Sequence, residues 1–139
     1  MQTIKTALCS FGMSGWVFHA PFINFHPGFT LHGVWERTKQ LSKVQYPEVV
    51  IYRSLEELLA DNDIDLVVVN TPNYTHYEFT KQALEANKHV VVEKPFTATV
   101  EEADELIRLA KLQKKLVTVY HNRRFDSDFL TVKKVVSDG

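Results

Sequence analysis

Six short segments read as strands: Thr3 to Cys9, Thr30 to Trp35, Val49 to Tyr52, Leu66 to Val69, Val90 to Val92 and Leu116 to Tyr120, of which Leu66 to Val69 and Val90 to Val92 are continuous apolar runs rich in β-branched residues. A run such as Leu66-Val67-Val68-Val69 lacks the polar alternation of a half-solvated strand, and so predicts a strand covered on both faces of a parallel sheet. Between the runs the apolar spacing turns helical. Ser54-Leu55-Glu56-Glu57 and Thr99-Val100-Glu101-Glu102 carry the pattern in which a hydroxyl and a carboxylate each satisfy an amide at a helix start. They predict helices from Leu55 to about Asp61 and from Val100 onward. Phe79, Ala83 and Ala86 mark the sheet-facing stripe of the helix before the fifth strand, and Ala103, Leu106, Ile107 and Ala110 that of the next. Asn87 is the expected left-handed stop, while Lys111, Lys114 and Lys115 complement the negative end of the later helix. A first helix starts near Ser14, with Pro21 expected to end or kink it early, and Pro27-Gly28 makes a turn. A last amphipathic helix carries Phe129, Val132 and Val136. Strands alternating with helices through right-handed crossovers predict one α/β domain over residues 1–139, a doubly wound parallel sheet of order 3-2-1-4-5-6.

Composition narrows the partners. Hydrophobic residues make up 45% of the 139, enough for one core. Sixteen Lys and Arg are scattered among seventeen Asp and Glu for a net charge of -1, which offers no basic face to a nucleic acid. No apolar stretch approaches the ~18 residues that span a bilayer, and Met1 leads straight into the first strand without an apolar leader. A cytoplasmic protein is the expectation. Cys9 stands alone inside a strand, so a buried, inert thiol is expected, and the six histidines and Cys9 show no metal-ligand spacing.

Polar chemistry begins where the strands stop. In an open α/β sheet the carboxyl ends of the strands are the edge at which ligands bind. Ser10-Phe11-Gly12-Met13-Ser14-Gly15 follows the first strand and is a Gly-x-Gly-x-x-Gly turn whose first glycine is replaced by Ser10. Gly12 lets the backbone approach a pyrophosphate, and Gly15 allows close packing of helix on strand. Glu36, at the end of the second strand and 21 positions after Gly15, lies near the ~20 expected of the acid that binds a ribose 2′-hydroxyl. Arg37 beside it could stack on adenine or meet a 2′-phosphate. These features predict NAD or NADP, with NAD mildly preferred because Glu36 would repel a 2′-phosphate. Thr71, Pro72, Asn73 and His76 follow the fourth strand, Glu93 and Lys94 the fifth, and His121, Asn122 and Arg123 the sixth. His19, His32 and His89 read as packing, surface or strand-opening residues.

Taken together, Phe11 to Gly15 with Val17-Phe18-His19-Ala20-Pro21, Asn70-Thr71-Pro72-Asn73-Tyr74-Thr75-His76, Glu93-Lys94-Pro95 and His121 to Asp128 resemble the N-terminal domain of the Gfo/Idh/MocA oxidoreductases over essentially the whole chain. The closing run most resembles a subgroup that includes scyllo-inositol dehydrogenase-like proteins. The resemblance implies hydride transfer between nicotinamide and a sugar or polyol. It implies a pyrophosphate at Gly12 to Gly15, adenosine ribose at Glu36 and Arg37, and a cleft lined by Thr71, Pro72, Asn73, His76, Asn122 and Arg123. Glu93 and Lys94 would lie near the nicotinamide, with Lys94 orienting the substrate hydroxyl and Pro95 following a cis peptide. It also implies that a second, substrate-binding domain is absent here, and that the full-length protein is a homo-oligomer. The competing reading is a non-catalytic dinucleotide-binding sensor or regulatory module. Such a module uses the Gly12 turn and Glu36 but has no work for Lys94.

Overall fold

The structure, a computed structural model, describes residues 3–139; the Met1-Gln2 lead-in lies outside them. Six parallel strands form one sheet in the order β3-β2-β1-β4-β5-β6. They are β1 (Ile4–Leu8), β2 (Phe29–Trp35), β3 (Val50–Tyr52), β4 (Leu66–Val69), β5 (His89–Val92) and β6 (Val117–Val119). The helices are α1 (Ala20–Phe25), α2 (Leu41–Gln45), α3 (Leu55–Ala60), α4 (His76–Glu85), α5 (Val100–Leu112) and α6 (Ser127–Asp138). This is the doubly wound topology expected of the apolar runs.

Alternate residues of the central strands go to opposite faces, which is why β4 reads as an unbroken apolar run. Ala7, Val67 and Val69 join Leu55, Leu58, Leu84 and Leu106 in a core beneath α3, α4 and α5. Leu8 and Val68 join Ala20, Leu31, Val34 and Val49 on the other side, against α1. Cys9 is buried in the first core, and burial pushes its thiol up to about 12.

Local signals act largely as the sequence predicts. Thr99 and Glu102 complete a reciprocal capping box on α5. Ser54 caps α3 through the Glu57 amide, but the Glu57 carboxylate reaches the Arg53 amide instead of closing the box on Ser54. Asn87 turns the chain after α4 with φ 62°, and the Lys94–Pro95 peptide is cis.

The first helix differs from expectation. Ser14–His19 is π-helical and runs directly into α1, so Pro21 neither ends the helix nor breaks it. The Ala20 amide reaches back to the Gly15 carbonyl, a five-residue step. Pro21 has no N–H to donate and its ring would crowd a carbonyl one α-turn earlier; the wider π-turn accommodates both. The α2 helix was not expected, and in α5 Ile107 faces solvent.

One irregularity shapes β2. Thr6 pairs with Leu31 and Ala7 with Gly33, leaving His32 as an extra residue that the register skips. At Gly33 a Cβ would lie 2.3 Å from Cε2 of Tyr52, so only glycine lets the Tyr52 ring cross the strand. The phenol then donates to Asp61 Oδ2, which also takes His32 Nε2 at 3.1 Å. Asp63 joins this cluster, with its carboxylate paired to Lys5 at 3.0 Å. Sequence spacing gave no sign of it because its members come from β2, β3 and the loop after α3. Its polar atoms already pair with one another, pinning that loop to the sheet.

Candidate functional site

The carboxyl ends of β1, β4, β5 and β6 open onto a cleft of about 930 Å³. Met13 and Ser14 border it from the β1 turn, Thr71, Asn73 and His76 from β4, Glu93 and Lys94 from β5, and Asn122 and Arg123 from β6. The fold therefore gathers residues that sequence could place only singly at strand ends. A smaller cavity of about 270 Å³ continues toward β2, lined by Ser10, Trp35, Arg37, Thr71, Pro72 and Tyr74 among others.

The two glycines of the turn after β1 have different surroundings. A Cβ on Gly15 would fall 2.3 Å from the Ser10 carbonyl oxygen and 2.9 Å from Asn70 Nδ2, so helix and strand meet here at glycine distance. A Cβ on Gly12 would meet only Ser10 Oγ, at 3.5 Å, leaving room for close backbone approach by a ligand. Ser10, standing where the first glycine would be, accepts the Gly12 amide at 3.1 Å and so holds the turn by a side-chain bond. Phe11 packs edge-on against Tyr46 and carries the turn against the β2 side of the sheet. Asn70 donates to the Ser10 carbonyl at 2.9 Å, tying the end of β4 to the same turn.

Glu93 is bound more tightly than its position in sequence indicates. Its Oε1 accepts Ser14 Oγ at 2.8 Å and His19 Nε2 at 2.8 Å. His19 is 4% exposed and packs at a tilt against Tyr120, with ring centroids 4.4 Å apart. Burial lowers the His19 imidazole below its ordinary value and outweighs the opposing pull of Glu93. Burial would raise the Glu93 carboxyl, but its bonds to Ser14 and His19 outweigh that and leave it lower than usual. The pair is thus a neutral imidazole donating to a carboxylate. His19, read from sequence as a packing or surface residue, is the member that sequence reasoning missed. Its only signal was a histidine in the helical segment that follows a glycine turn.

His76 forms the floor of the cleft. It is 1% exposed, with Nδ1 2.7 Å from the Pro95 carbonyl oxygen and Nε2 2.9 Å from that of Thr71. Carbonyl oxygens only accept, so each contact is a hydrogen bond only when the nitrogen facing it carries a proton. The ring ties the end of β4 to the segment after Lys94, whose side chain is exposed at the cleft wall. Arg123 pairs with Asp126 at 2.9 Å on the rim.

Glu36 is placed differently from its expected role. It is 7% exposed; Oε1 accepts the Ser42 amide at 3.1 Å, at the start of α2, and Oε2 is buried without a partner. Arg37 is exposed.

Residues 4–121 match the oxidoreductase family described by an NAD-binding Rossmann fold. An uncharacterized oxidoreductase of Schizosaccharomyces pombe is 48% identical over 144 residues, covering 100% of this chain and 39% of the relative. The scyllo-inositol 2-dehydrogenase (NADP(+)) IolW of Bacillus subtilis is 42% identical, covering 100% and 39%. A solved crystal structure from Bacteroides fragilis superposes with a TM-score of 0.92 at 55% identity, covering 99% of this chain and 43% of that one. The chain thus spans about two-fifths of the length of these relatives. No helix among the described residues is long and apolar enough to cross a membrane.

Proposed function

Because the chain belongs to the Gfo/Idh/MocA oxidoreductase family, we propose that it is the cofactor-binding part of an NAD- or NADP-dependent oxidoreductase acting on a sugar or polyol hydroxyl. The observation that carries this reading is the bond from Ser14 to Glu93, which ties the helical segment after Gly12 to the strand end that carries Lys94, so that both line one cleft. A binding module needs the turn. It has no use for an exposed ammonium in the same cleft.

The residues present fit a dinucleotide. The amides that follow Gly12 would take the pyrophosphate at a helical N-terminus, which favours anions by its unpaired N–H groups and its dipole. Thr71, Pro72 and Asn73 would line the path of the cofactor, with Asn122 and Arg123 at the far rim. When bound, the nicotinamide supplies the two-electron acceptor or donor, chemistry that no side chain here can perform. Lys94 would donate a hydrogen bond to the substrate oxygen and stabilise negative charge developing on it. Glu93, fixed by Ser14 and His19, would hold the backbone from which Lys94 projects, and His76 would fix the segment beyond it. The IolW relative, by its name, acts on scyllo-inositol with NADP(+), which supports a polyol as the substrate class.

Calorimetric titration of the chain with NAD⁺ and with NADP⁺ tests the reading. Saturable heat is expected with at least one of them, and Gly15→Val, which drives a side chain into the Ser10 carbonyl and Asn70, is expected to abolish it. Absence of heat and of any thermal shift with both cofactors at millimolar concentration would sink the proposal.

A further inference from the structure

Resting on that dinucleotide reading, we propose that the sugar or polyol substrate carries a carboxylate, as an aldonic or uronic acid does, and that Arg124 is the residue that recognises it.

Charge along the cleft is unbalanced. Its lining holds one acid, Glu93, and three permanent cations, Lys94, Arg123 and Arg124. Glu93 is already occupied by the cleft wall. Its Oε1 takes Ser14 and His19, each at 2.8 Å, and its Oε2 takes the Lys94 amide at 3.3 Å. Arg123 is matched from beyond the cleft, where its Nη1 donates to Asp126 Oδ2 at 2.9 Å. Lys94 and Arg124 remain. Both are exposed, and neither belongs to any of the five ion pairs formed by the described residues. With the Lys94 ammonium engaged by the reacting oxygen, one guanidinium is left without a counter-charge.

The pyrophosphate of the cofactor is not placed to supply it. Its site is the glycine turn after β1, and β6, which leads into Arg124, stands three places away in the sheet, roughly 14 Å at the usual strand spacing. Lys94 and Arg124 instead follow β5 and β6, which are paired neighbours, so a molecule of sugar size can meet both. Arg124 sits in the tight helical turn Asn122–Phe125, its amide bonded to the His121 carbonyl at 3.2 Å. It also borders an adjoining cavity of about 640 Å³ with Phe18, Phe22 and Phe125, so there is space beside it for the far end of a substrate held at Lys94. A planar guanidinium meets a carboxylate in two parallel charge-assisted bonds, and one positive charge cancels one negative. A phosphate monoester, at about −1.5 to −2, would leave charge uncancelled.

The test is an NMR titration of the chain saturated with whichever nicotinamide cofactor it binds. D-gluconate and D-glucuronate are compared with their neutral counterparts, D-glucitol and D-glucose. At least one acid is expected to bind about tenfold or more tightly than its counterpart at low salt, a difference typical of one charge-assisted contact. That ratio should shrink in about 0.5 M NaCl, which screens exposed charges. Arg124→Ala should bring acid and neutral compound together by weakening the acid alone, with cofactor affinity held within about twofold. Neither acid binding more tightly than its counterpart, or Arg124→Ala weakening the cofactor instead, overturns the proposal while leaving the dinucleotide reading intact. Glucitol 6-phosphate binding more tightly than both acids overturns the carboxylate assignment. Failure of both cofactors to bind overturns the two readings together.

Discussion

Tyr52 donates a hydrogen bond to Asp61 outside the cleft, and their chemistry has a pH signature. The phenol hydrogen bond is the main influence holding the Asp61 carboxyl down to about 2; desolvation opposes it, and the Asp63 amide and His32 add to it. A carboxyl whose folded value lies below its ordinary 3.8 contributes stability above about pH 4 that is lost as pH falls toward about pH 2. Tyr52→Phe removes the hydroxyl while keeping the ring over Gly33. It should destabilise the fold by about 1–2 kcal/mol at neutral pH. It should also let the Asp61 carboxyl rise, so that acid unfolding begins at higher pH than in the parent. Urea midpoints at pH 7, 4 and 2.5 read both effects: the gap between the two proteins should close toward the acid end. A gap that stayed constant across that range would assign the loss to packing and not to the charge.

Among elements, the decisive link joins the π-helical Ser14–His19 segment to the end of β5 through Glu93. Burial holds the His19 imidazole below its ordinary 6.5, against the opposing pull of Glu93. Such a group leaves the fold at full strength above about pH 6.5 and weakens it as pH falls further, when the unfolded chain takes up the proton more readily. Thermal midpoints of the parent should therefore decline from pH 7 to about pH 5. His19→Phe, which keeps a ring against Tyr120 but removes the donor, should be less stable at pH 7 and flatter across that window. An unchanged slope would remove His19 from the account.

This is also the scale at which sequence was readable and then stopped being so. β4 and β5 were legible because burial on both faces leaves unbroken β-branched runs, and α3 and α5 because Ser54 and Thr99 cap them. α2 was not, since Gln40 offers no side-chain cap and Leu41 and Val44 face solvent. The π-turn depends on how Pro21 is accommodated, which composition does not encode. The site was legible as a set of strand ends. The pairing of Glu93 with His19 spans 74 positions, and the turn of Glu36 toward Ser42 depends on a helix that the sequence did not announce.

At the scale of the whole molecule, the cleft is open and the chain spans about two-fifths of the length of its relatives. α6 buries none of its residues, and Phe129, Leu130, Val132, Val135 and Val136 together expose an apolar surface of the kind that marks an interface. Hydride transfer from an alcohol needs a base for the hydroxyl proton and a wall that presses the carbon against the nicotinamide. Lys94 can orient the oxygen. The nearby imidazoles do not readily complete the set: His19 is committed to Glu93 and His76 lies between two carbonyls, leaving only His121 exposed on the rim. Positioning alone is worth roughly 7–11 kcal/mol of barrier, and an open cleft forfeits much of it. The expected outcome is that the 139-residue chain binds the dinucleotide yet shows no turnover with a panel of inositols and aldoses, followed by the absorbance of reduced nicotinamide. A longer form of the length of its relatives should turn over at least one of them, and Lys94→Ala in that form should lower kcat by about 100-fold or more while shifting cofactor affinity little. Comparable turnover by the chain alone would show that the cleft is already sufficient, and a Lys94→Ala form that kept its kcat would move the chemistry to another residue.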